Sequence, residues 1–152
     1  MLDVRIVSGG QTGVDRAALD AARTLGLEHG GWCPLGRIAE DGPIPAEYNL
    51  IETDSPEYPV RTKRNVIDSE GTLILYRHRL TGGTKLTHRF TRRRDKPSHL
   101  QDLAKSLDVE PARQWIAENR ILVLNVAGPR ESSAPGIQQQ SYEFLIRLFA
   151  DV

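Results

Sequence analysis

The sequence contains one cysteine and no long apolar segment. Cys33 cannot form an internal disulfide, which is typical of a protein in the reducing cytoplasm. No stretch approaches the ~20 apolar residues that a membrane-spanning helix requires, and no basic and apolar leader precedes the first predicted strand. We therefore expect a cytoplasmic protein that does not enter a membrane. Its length of 152 residues predicts one domain over residues 1–152.

Patterns typical of catalysis and metal binding are absent as well. The four histidines have no metal-ligand spacing, and no Ser-His-Asp arrangement can be traced. Cys33 has no second thiol to bind a metal with, so we expect it to be buried packing. The sequence therefore predicts neither a metal site nor a catalytic residue.

The formal net charge of zero conceals an uneven distribution. Between Arg77 and Lys96, eight Lys and Arg residues stand against one acid, Asp95. Such a segment is either a solvated or interface surface or an attractor for small anions. Nucleic acid is the least favoured partner, because Phe90 is the only aromatic residue in the segment on which a base could stack.

Short β-rich runs alternate with amphipathic stretches, which predicts an α/β fold with a parallel sheet flanked by helices on both faces. Strands are predicted at residues 4–7, 72–76 and 121–126, with short strands near 31–33 and 97–100. Helices are predicted at residues 15–25, 58–69, 84–93, 109–119 and 135–150. The segment 34–45, rich in Pro and Gly, is predicted to be a long functional loop.

Three of the strongest predicted strands run into glycine- or hydroxyl-rich turns that precede helices. These turns are residues 8–15, 81–84 and 127–133. The carboxyl ends of parallel strands share one edge of the sheet, and ligands bind in the crevice outside it. Backbone N–H groups at helix starts bind anions. The three turns therefore predict a site for a phosphate-bearing small molecule.

Several side chains in these turns have two interpretations. Thr12 and Asp15 have the spacing of a capping box, so both are expected to serve the helix start. For Asp15 the alternative is a ligand hydroxyl, because a carboxylate would repel a phosphate. Ser132 and Ser133 either cap the last helix or donate to a phosphate. Gln11 has no capping role, and its amide can contact a phosphate or the edge of a heterocycle. Arg130 is a stronger candidate for an anion contact, since a guanidinium binds phosphate through two N–H groups.

Segments that resemble one known family occur in order along nearly the whole chain. They are residues 8–20, 31–37, 39–45, Tyr58 with 61–62 and 64–66, 81–84 and 125–130. Together they resemble the molybdenum carrier proteins, also called molybdenum cofactor carriers. The resemblance implies a Rossmann-like fold related to nucleotide sensors and phosphoribohydrolases. It also implies a homo-oligomer, a dimer or tetramer, that holds the phosphate and pterin of molybdenum cofactor as cargo.

The turns and the resemblance together define the predicted binding residues. Ligand and phosphate contacts are predicted at Gly9, Gly10, Gln11, Thr12, Gly13, Arg64, Gly82, Gly83, Thr84, Lys85, Gly128, Arg130 and Ser132. On the helix 58–69, Arg61 and Lys63 are expected on a solvated surface.

The segment 81–88 departs from the Pro-Gly-Gly-x-Gly-Thr-x-x-Glu pattern of phosphoribohydrolases, because it lacks the proline and the glutamate. The sequence therefore favours a binding protein over an enzyme. The alternative is a nucleotide- or ADP-ribose-related binding protein, or a phosphoribohydrolase-like enzyme. In such an enzyme the carboxylate would come from Glu40, Asp41 or Glu131.

Overall fold

The structure is a computed structural model that describes residues 2–150. Its strands are β1 (Arg5–Val7), β2 (His29–Gly30), β3 (Trp32–Cys33), β4 (Ile38–Ala39), β5 (Gly42–Pro43), β6 (Ile51–Glu52), β7 (Gly71–Tyr76), β8 (Ser98–Asp102) and β9 (Val123–Ala127). Its helices are α1 (Val14–Leu25), α2 (Tyr58–Ile67), α3 (Gly82–Arg93), α4 (Glu110–Glu118) and α5 (Ile137–Phe149).

A five-stranded parallel sheet forms the centre of the domain, in the order β2-β1-β9-β7-β8. The last strand in the chain, β9, lies between β1 and β7, so Ile6 is opposite Leu124 and Leu73 is opposite Val126. Helices follow the strands in the alternating order typical of crossover connections. The predicted Rossmann-like α/β fold with a parallel sheet is confirmed.

The larger apolar core lies between the sheet and helices α1, α4 and α5. Alanines at 18, 21 and 22 are fully buried, and their small side chains let α1 lie close to the strands. Helix α5 contributes the largest side chains, among them Phe144 and Phe149, both fully buried. Burial of each such aromatic or aliphatic side chain stabilises the fold by about 1.5–3 kcal/mol.

The layer beneath α2 and α3 is different, because most of the side chains that these helices bury are polar. The buried residues are Thr62, Asn65 and Val66 in α2, and Thr84, Thr87 and Thr91 in α3. None of these residues belongs to the larger apolar core. Opposite them in the sheet, Asn125 donates its amide to Thr72 Oγ1 at 3.2 Å. This side of the sheet is therefore hydroxyl-rich.

The segment 34–45, predicted as a loop, contains the antiparallel pair β4 and β5. Arg37 ties it together by donating from Nη2 to the carbonyls of Pro45 and Tyr48 at 2.7 and 3.0 Å. The buried guanidinium of Arg16 then holds Asp41 at 2.9 Å. The segment is thus a hairpin fastened to α1, not an irregular loop.

Most predicted elements are found with shifted ends. The helix predicted to 69 ends at Ile67, and the strand predicted at 97–100 extends to Asp102. The final helix begins at Ile137 because Glu131–Ser133 forms a short 3-10 helix and Gly136 is left-handed, at φ 87°. No helix within residues 2–150 is long and apolar enough to cross a membrane.

Candidate functional site

The turns after β1, β7 and β9 meet at one edge of the sheet, since these three strands are neighbours. They enclose a cavity of about 160 Å³, and the first turns of α2 and α3 complete its wall. The lining residues are Gln11, Asp15, Tyr58, Pro59, Arg61, Thr62, Thr81, Gly82, Gly83, Thr84, Leu86, Thr87, Ala127, Gly128, Pro129, Arg130 and Ser133. The predicted convergence of the three turns is therefore observed.

The start of α1 is less available to an anion than its sequence predicts, because three successive backbone N–H groups there already have acceptors. Thr12 N–H donates to Gln11 Oε1 at 3.0 Å, and Gly13 N–H donates to Gln138 Oε1 at 2.9 Å. Val14 N–H donates to the carbonyl of Pro129 at 3.2 Å. The N-cap residue is Gly13, which has no side chain, and Thr12 Oγ1 accepts the N–H of Glu131 instead of one from α1, so the predicted capping box of Thr12 and Asp15 is wrong.

The glycines of the first turn allow close packing within the protein. A Cβ on Gly9 would lie 2.1 Å from Nη1 of Arg61, so Gly9 makes room for that side chain. A Cβ on Gly13 would lie 2.2 Å from the carbonyl oxygen of Pro129. Gly10 faces the side chains of Ile44 and Leu50. These three glycines join the turns to one another.

The start of α3 is open, in contrast to that of α1. Thr81 does not cap it through its side chain, and Gly82 is left-handed at φ 51°. Within residues 2–150, the N–H groups of Gly82 and Gly83 have no hydrogen-bond acceptor. A Cβ on Gly83 would meet no atom within 4 Å. The first turn of α3 thus presents backbone donors and the positive end of the helix dipole to the cavity.

Two buried side-chain donors in the cavity wall also lack acceptors within the described residues: Gln11 Nε2 and Arg61 Nε. Gln11 is only 6% exposed, and its Oε1 accepts the N–H groups of Thr12 and Glu40. Those two hydrogen bonds fix the orientation of the amide group, so that Nε2 has no acceptor among the described residues. A buried donor without an acceptor costs about 1–3 kcal/mol, so a molecule that offered acceptor atoms to these two donors would offset that cost.

Asp15 and Arg61 form an ion pair at the floor of the cavity, with Arg61 Nη1 3.1 Å from Asp15 Oδ2. Burial raises the pKa of Asp15 above its ordinary value, and the nearby charge of Arg61 opposes that shift. The pair fixes Arg61 through Nη1, and its Nε is buried without an acceptor within the described residues. The guanidinium of Arg61 also lies 5.5 Å from the ring centre of Tyr58, and that of Arg130 lies 5.8 Å from it.

Comparison with known proteins identifies the family. A model of the circularly permutated YpsA SLOG family matches residues 6–149. The chain belongs to that family. It is also similar to a solved structure described as "Putative molybdenum carrier protein" from Syntrophus aciditrophicus SB. The two chains are 42% identical, with a TM-score of 0.92, and the match covers 98% of this chain and 96% of that one. No curated protein matches the chain.

In this member of the SLOG family, the cavity wall includes six of the predicted binding residues: Gln11, Gly82, Gly83, Thr84, Gly128 and Arg130. The other seven, Gly9, Gly10, Thr12, Gly13, Arg64, Lys85 and Ser132, lie outside it. Arg64 stacks on Trp32 at 4.0 Å, and Lys85 is on another flank of α3. Ser132 neither caps a helix nor faces the cavity, because its Oγ donates to Glu40 at 3.0 Å. Ligand contact by any of these residues stays a prediction.

Sequence reasoning missed Tyr58 and Arg61 as residues of the cavity. The sequence predicts Arg61 on a solvated surface, and Asp15 either at the helix start or against a ligand hydroxyl. Tyr58 was only part of the family resemblance. The available signal for Arg61 was its place one turn after Tyr58 on the same predicted helix, next to a site expected to bind anions.

The three carboxylates that are candidates for catalysis, those of Glu40, Asp41 and Glu131, all form hydrogen bonds within the protein. Glu40 accepts from Ser132, and the hydrogen bond from Arg16 holds the pKa of Asp41 below its usual value. Glu131 accepts the N–H groups of Gly136 and Gln138 at 2.8 and 3.0 Å, so it caps α5. In the cavity at the edge of the sheet, the carboxyl group in the wall is that of Asp15.

Side chains that could bind a metal ion are not grouped within the described residues. His, Cys, Asp and Glu side chains there form no cluster of three or more suited to a metal ion. Cys33 is fully buried, and burial raises the pKa of its thiol. A buried, protonated thiol is a poor metal ligand and nucleophile.

Proposed function

We propose that this protein binds a phosphate-bearing ligand in the cavity at the start of α3 and carries it without turnover, with molybdenum cofactor as the cargo. The observation that carries the proposal is the pair of buried donors without acceptors, Gln11 Nε2 and Arg61 Nε, in one cavity. A cytoplasmic location, expected from the single cysteine, is part of the same proposal.

The donors in the cavity suit a phosphate group. The N–H groups of Gly82 and Gly83 lie at the positive end of α3, and Arg61 adds a charged donor that Asp15 holds in place. A phosphate offers several acceptor oxygens at once and would satisfy these groups together. The cavity of about 160 Å³ holds such a group, and the pterin would extend toward its open side.

The choice of molybdenum cofactor rests on the resemblance to carrier proteins and on the similar protein from Syntrophus aciditrophicus SB, whose description names a molybdenum carrier. Carriage without turnover is supported by the absence of a glutamate in residues 81–88. It is also supported by the structural roles of Glu40, Asp41 and Glu131.

The test is an inventory of what the protein retains when a host that makes the cofactor produces it. We expect molybdenum and pterin in equal amounts, near one per chain, by elemental analysis and mass spectrometry. Gly83→Asp should contain neither, because its carboxylate would enter the anion site, whereas Gly83→Ala should retain both. Wild-type protein that stays empty even with added cofactor would rule out this cargo.

A second candidate function follows from Asp15. Its carboxyl group lines the cavity, and burial raises its pKa, which is a property of residues that donate a proton in catalysis. A nucleotide or ADP-ribose-related molecule could therefore be the substrate of a hydrolase. Incubation with nucleoside monophosphates and nicotinamide dinucleotide should release free base if this holds, and Asp15→Asn should stop the release. Absence of any release from the wild type would exclude it.

A further inference from the structure

A buried carboxylate stands in the wall of the cavity that is proposed to hold an anion. Asp15 lines that wall together with Gln11, Arg61, Gly82 and Gly83, which offer hydrogen-bond donors. The Asp15 side chain is only 4% exposed, and its Oδ2 accepts from Arg61 Nη1 at 3.1 Å. An ionised carboxylate accepts hydrogen bonds and cannot donate one. An anion in this cavity therefore meets an acceptor as well as donors.

The charged side chains around the cavity leave little excess positive charge. Among the described residues that line it, they are those of Asp15, Arg61 and Arg130. Asp15 cancels one of the two guanidinium charges, so one positive charge is left for the ligand. A monoanion would neutralise the cavity. A dianion would place uncompensated negative charge beside a buried carboxylate, which has a Coulomb cost.

Within the described residues, the surroundings of Asp15 offer no cation beyond these two arginines to offset that repulsion. A void of about 10 Å³ beside Asp15 and Arg61 is otherwise lined by uncharged residues, namely Gly9, Thr62, Asn65, Thr87, Asn125, Val126 and Ala127. Arg16, the next residue on α1, is paired with Asp41 at 2.9 Å. Burial raises the pKa of Asp15, and the charge of Arg61 opposes that shift. The group that best suits this carboxylate is therefore a hydrogen-bond donor on the ligand.

A phosphate monoester can supply such a donor. Its second pKa is about 6, so near neutral pH it retains or regains a proton on one oxygen at small cost. The monoanion then combines one negative charge, acceptor oxygens and a P–O–H donor. A sulfate monoester has the same tetrahedral shape and the same charge, but it has no O–H group. The two monoesters therefore differ in the one feature that Asp15 could recognise.

We propose that Asp15 makes the cavity selective for the protonated monoanion of a phosphate monoester. Its carboxylate accepts the P–O–H of the ligand, while Gln11, Arg61 and the start of α3 donate to the other oxygens. This role rests on the proposed function, which assigns a phosphate-bearing ligand to the cavity, and it adds the protonation state in which that ligand binds. Above about pH 6, binding should therefore take up a proton from solvent.

The test compares methyl phosphate with methyl sulfate by calorimetric titration at about pH 6. The wild type should bind methyl phosphate about 10-fold or more tightly than methyl sulfate, because Asp15 makes a charged hydrogen bond with only one of them. From about pH 6 to pH 8, the affinity for methyl phosphate should fall by up to about 10-fold per pH unit, since the complex holds a proton that the free ligand has lost.

Asp15→Asn should reverse this pH dependence. Removal of the carboxylate charge leaves two guanidinium charges for the ligand, so the variant should prefer the dianion and bind methyl phosphate more tightly as the pH rises. A merely structural role of Asp15 would not produce this reversal. Asp20→Asn is the matched control, since it makes the same change on α1, where Asp20 accepts from Tyr48 outside the cavity wall. The control should keep the wild-type selectivity and pH profile.

Equal affinity of the wild type for the two monoesters would overturn the role of Asp15 and leave an anion site in the cavity. An Asp15→Asn variant whose affinity still falls toward high pH would overturn it too, since another group would then bind the proton. If thermal unfolding shows that Asp15→Asn is not folded, the comparison of the two ligands on the wild type decides alone. Failure of the wild type to bind either ligand would instead contradict the proposed function itself.

Discussion

Arg61 donates from Nη1 to Asp15 Oδ2 at 3.1 Å, and so links helices α2 and α1 across the edge of the sheet. Both side chains are largely buried, at 13% and 4% exposure. The same Nη1 occupies the space that a Cβ at Gly9 would fill. The position of the Arg61 guanidinium therefore depends both on the Asp15 carboxylate and on the space left by Gly9.

A methyl group at position 9 should disturb this arrangement. We expect Gly9→Ala to displace the Arg61 guanidinium and to weaken phosphate binding about 10-fold or more, since a charged hydrogen bond contributes ~1.5–3 kcal/mol. Calorimetric titration with inorganic phosphate would measure the effect. If the effect acts through Arg61, then Gly9→Ala should add nothing to Arg61→Ala in a double-mutant cycle. Additive losses would show that Gly9 acts independently.

Gly83 and Gly10 should respond differently to the same substitution. A Cβ at Gly83 meets open space, so Gly83→Asp should keep the melting temperature and lose phosphate binding. Gly10 has φ 83°, and a Cβ there would lie 2.7 Å from Leu50 and 2.8 Å from Ile44, so Gly10→Asp should lower the melting temperature even without phosphate. Thermal unfolding with and without phosphate separates the two effects. A stable, non-binding Gly10→Asp would place Gly10 in the binding site itself.

Glu131 should matter for stability and not for the ligand. Its carboxylate accepts two N–H groups at the start of α5, and loss of a helix cap costs about 0.5–2 kcal/mol. Glu131→Ala should therefore lower the free energy of unfolding in urea by that amount while phosphate affinity stays unchanged. A loss of activity or binding at full stability would instead support a carboxylate role at the site.

Acidification should destabilise the fold through two histidines. Burial lowers the pKa of His29 and of His99 below the ordinary value of 6.5, and Arg23 and Arg5 add to the shift at His29. The unfolded chain then takes up protons that the folded chain resists, so stability should fall as the pH drops below about 6.5. His29 Nε2 also accepts the N–H of Asn49 at 3.1 Å, which requires the unprotonated ring.

The measurement is the melting temperature between about pH 7.5 and pH 5. We expect a decrease toward low pH in the wild type and a flatter profile in a His29→Gln, His99→Gln variant. Equal slopes for the two proteins would assign the pH effect to other groups.

The fold followed from the sequence because its signals are local. The apolar runs before the turns at 8–15, 81–84 and 127–133 identify strands, and parallel connections then bring the turns to one edge. The site was less accessible to sequence reasoning, because its assignment depends on which N–H groups remain free after packing. Gln138 and Pro129, far along the chain, accept N–H groups at the start of α1, whereas no residue among 2–150 accepts those of Gly82 and Gly83. No local pattern distinguishes these two cases.

The two sides of the sheet are packed differently, so we expect the helices on each side to differ in the free energy of local unfolding. Helices α1 and α5 share the larger apolar core, whereas α2 and α3 bury mainly threonine and asparagine against the strands. Amide hydrogens of α2 and α3 should therefore exchange with solvent faster than those of α1 and α5, because opening α2 and α3 costs less free energy. Since α2 and α3 also form the cavity wall, a bound ligand should slow exchange most in the layer that opens most easily.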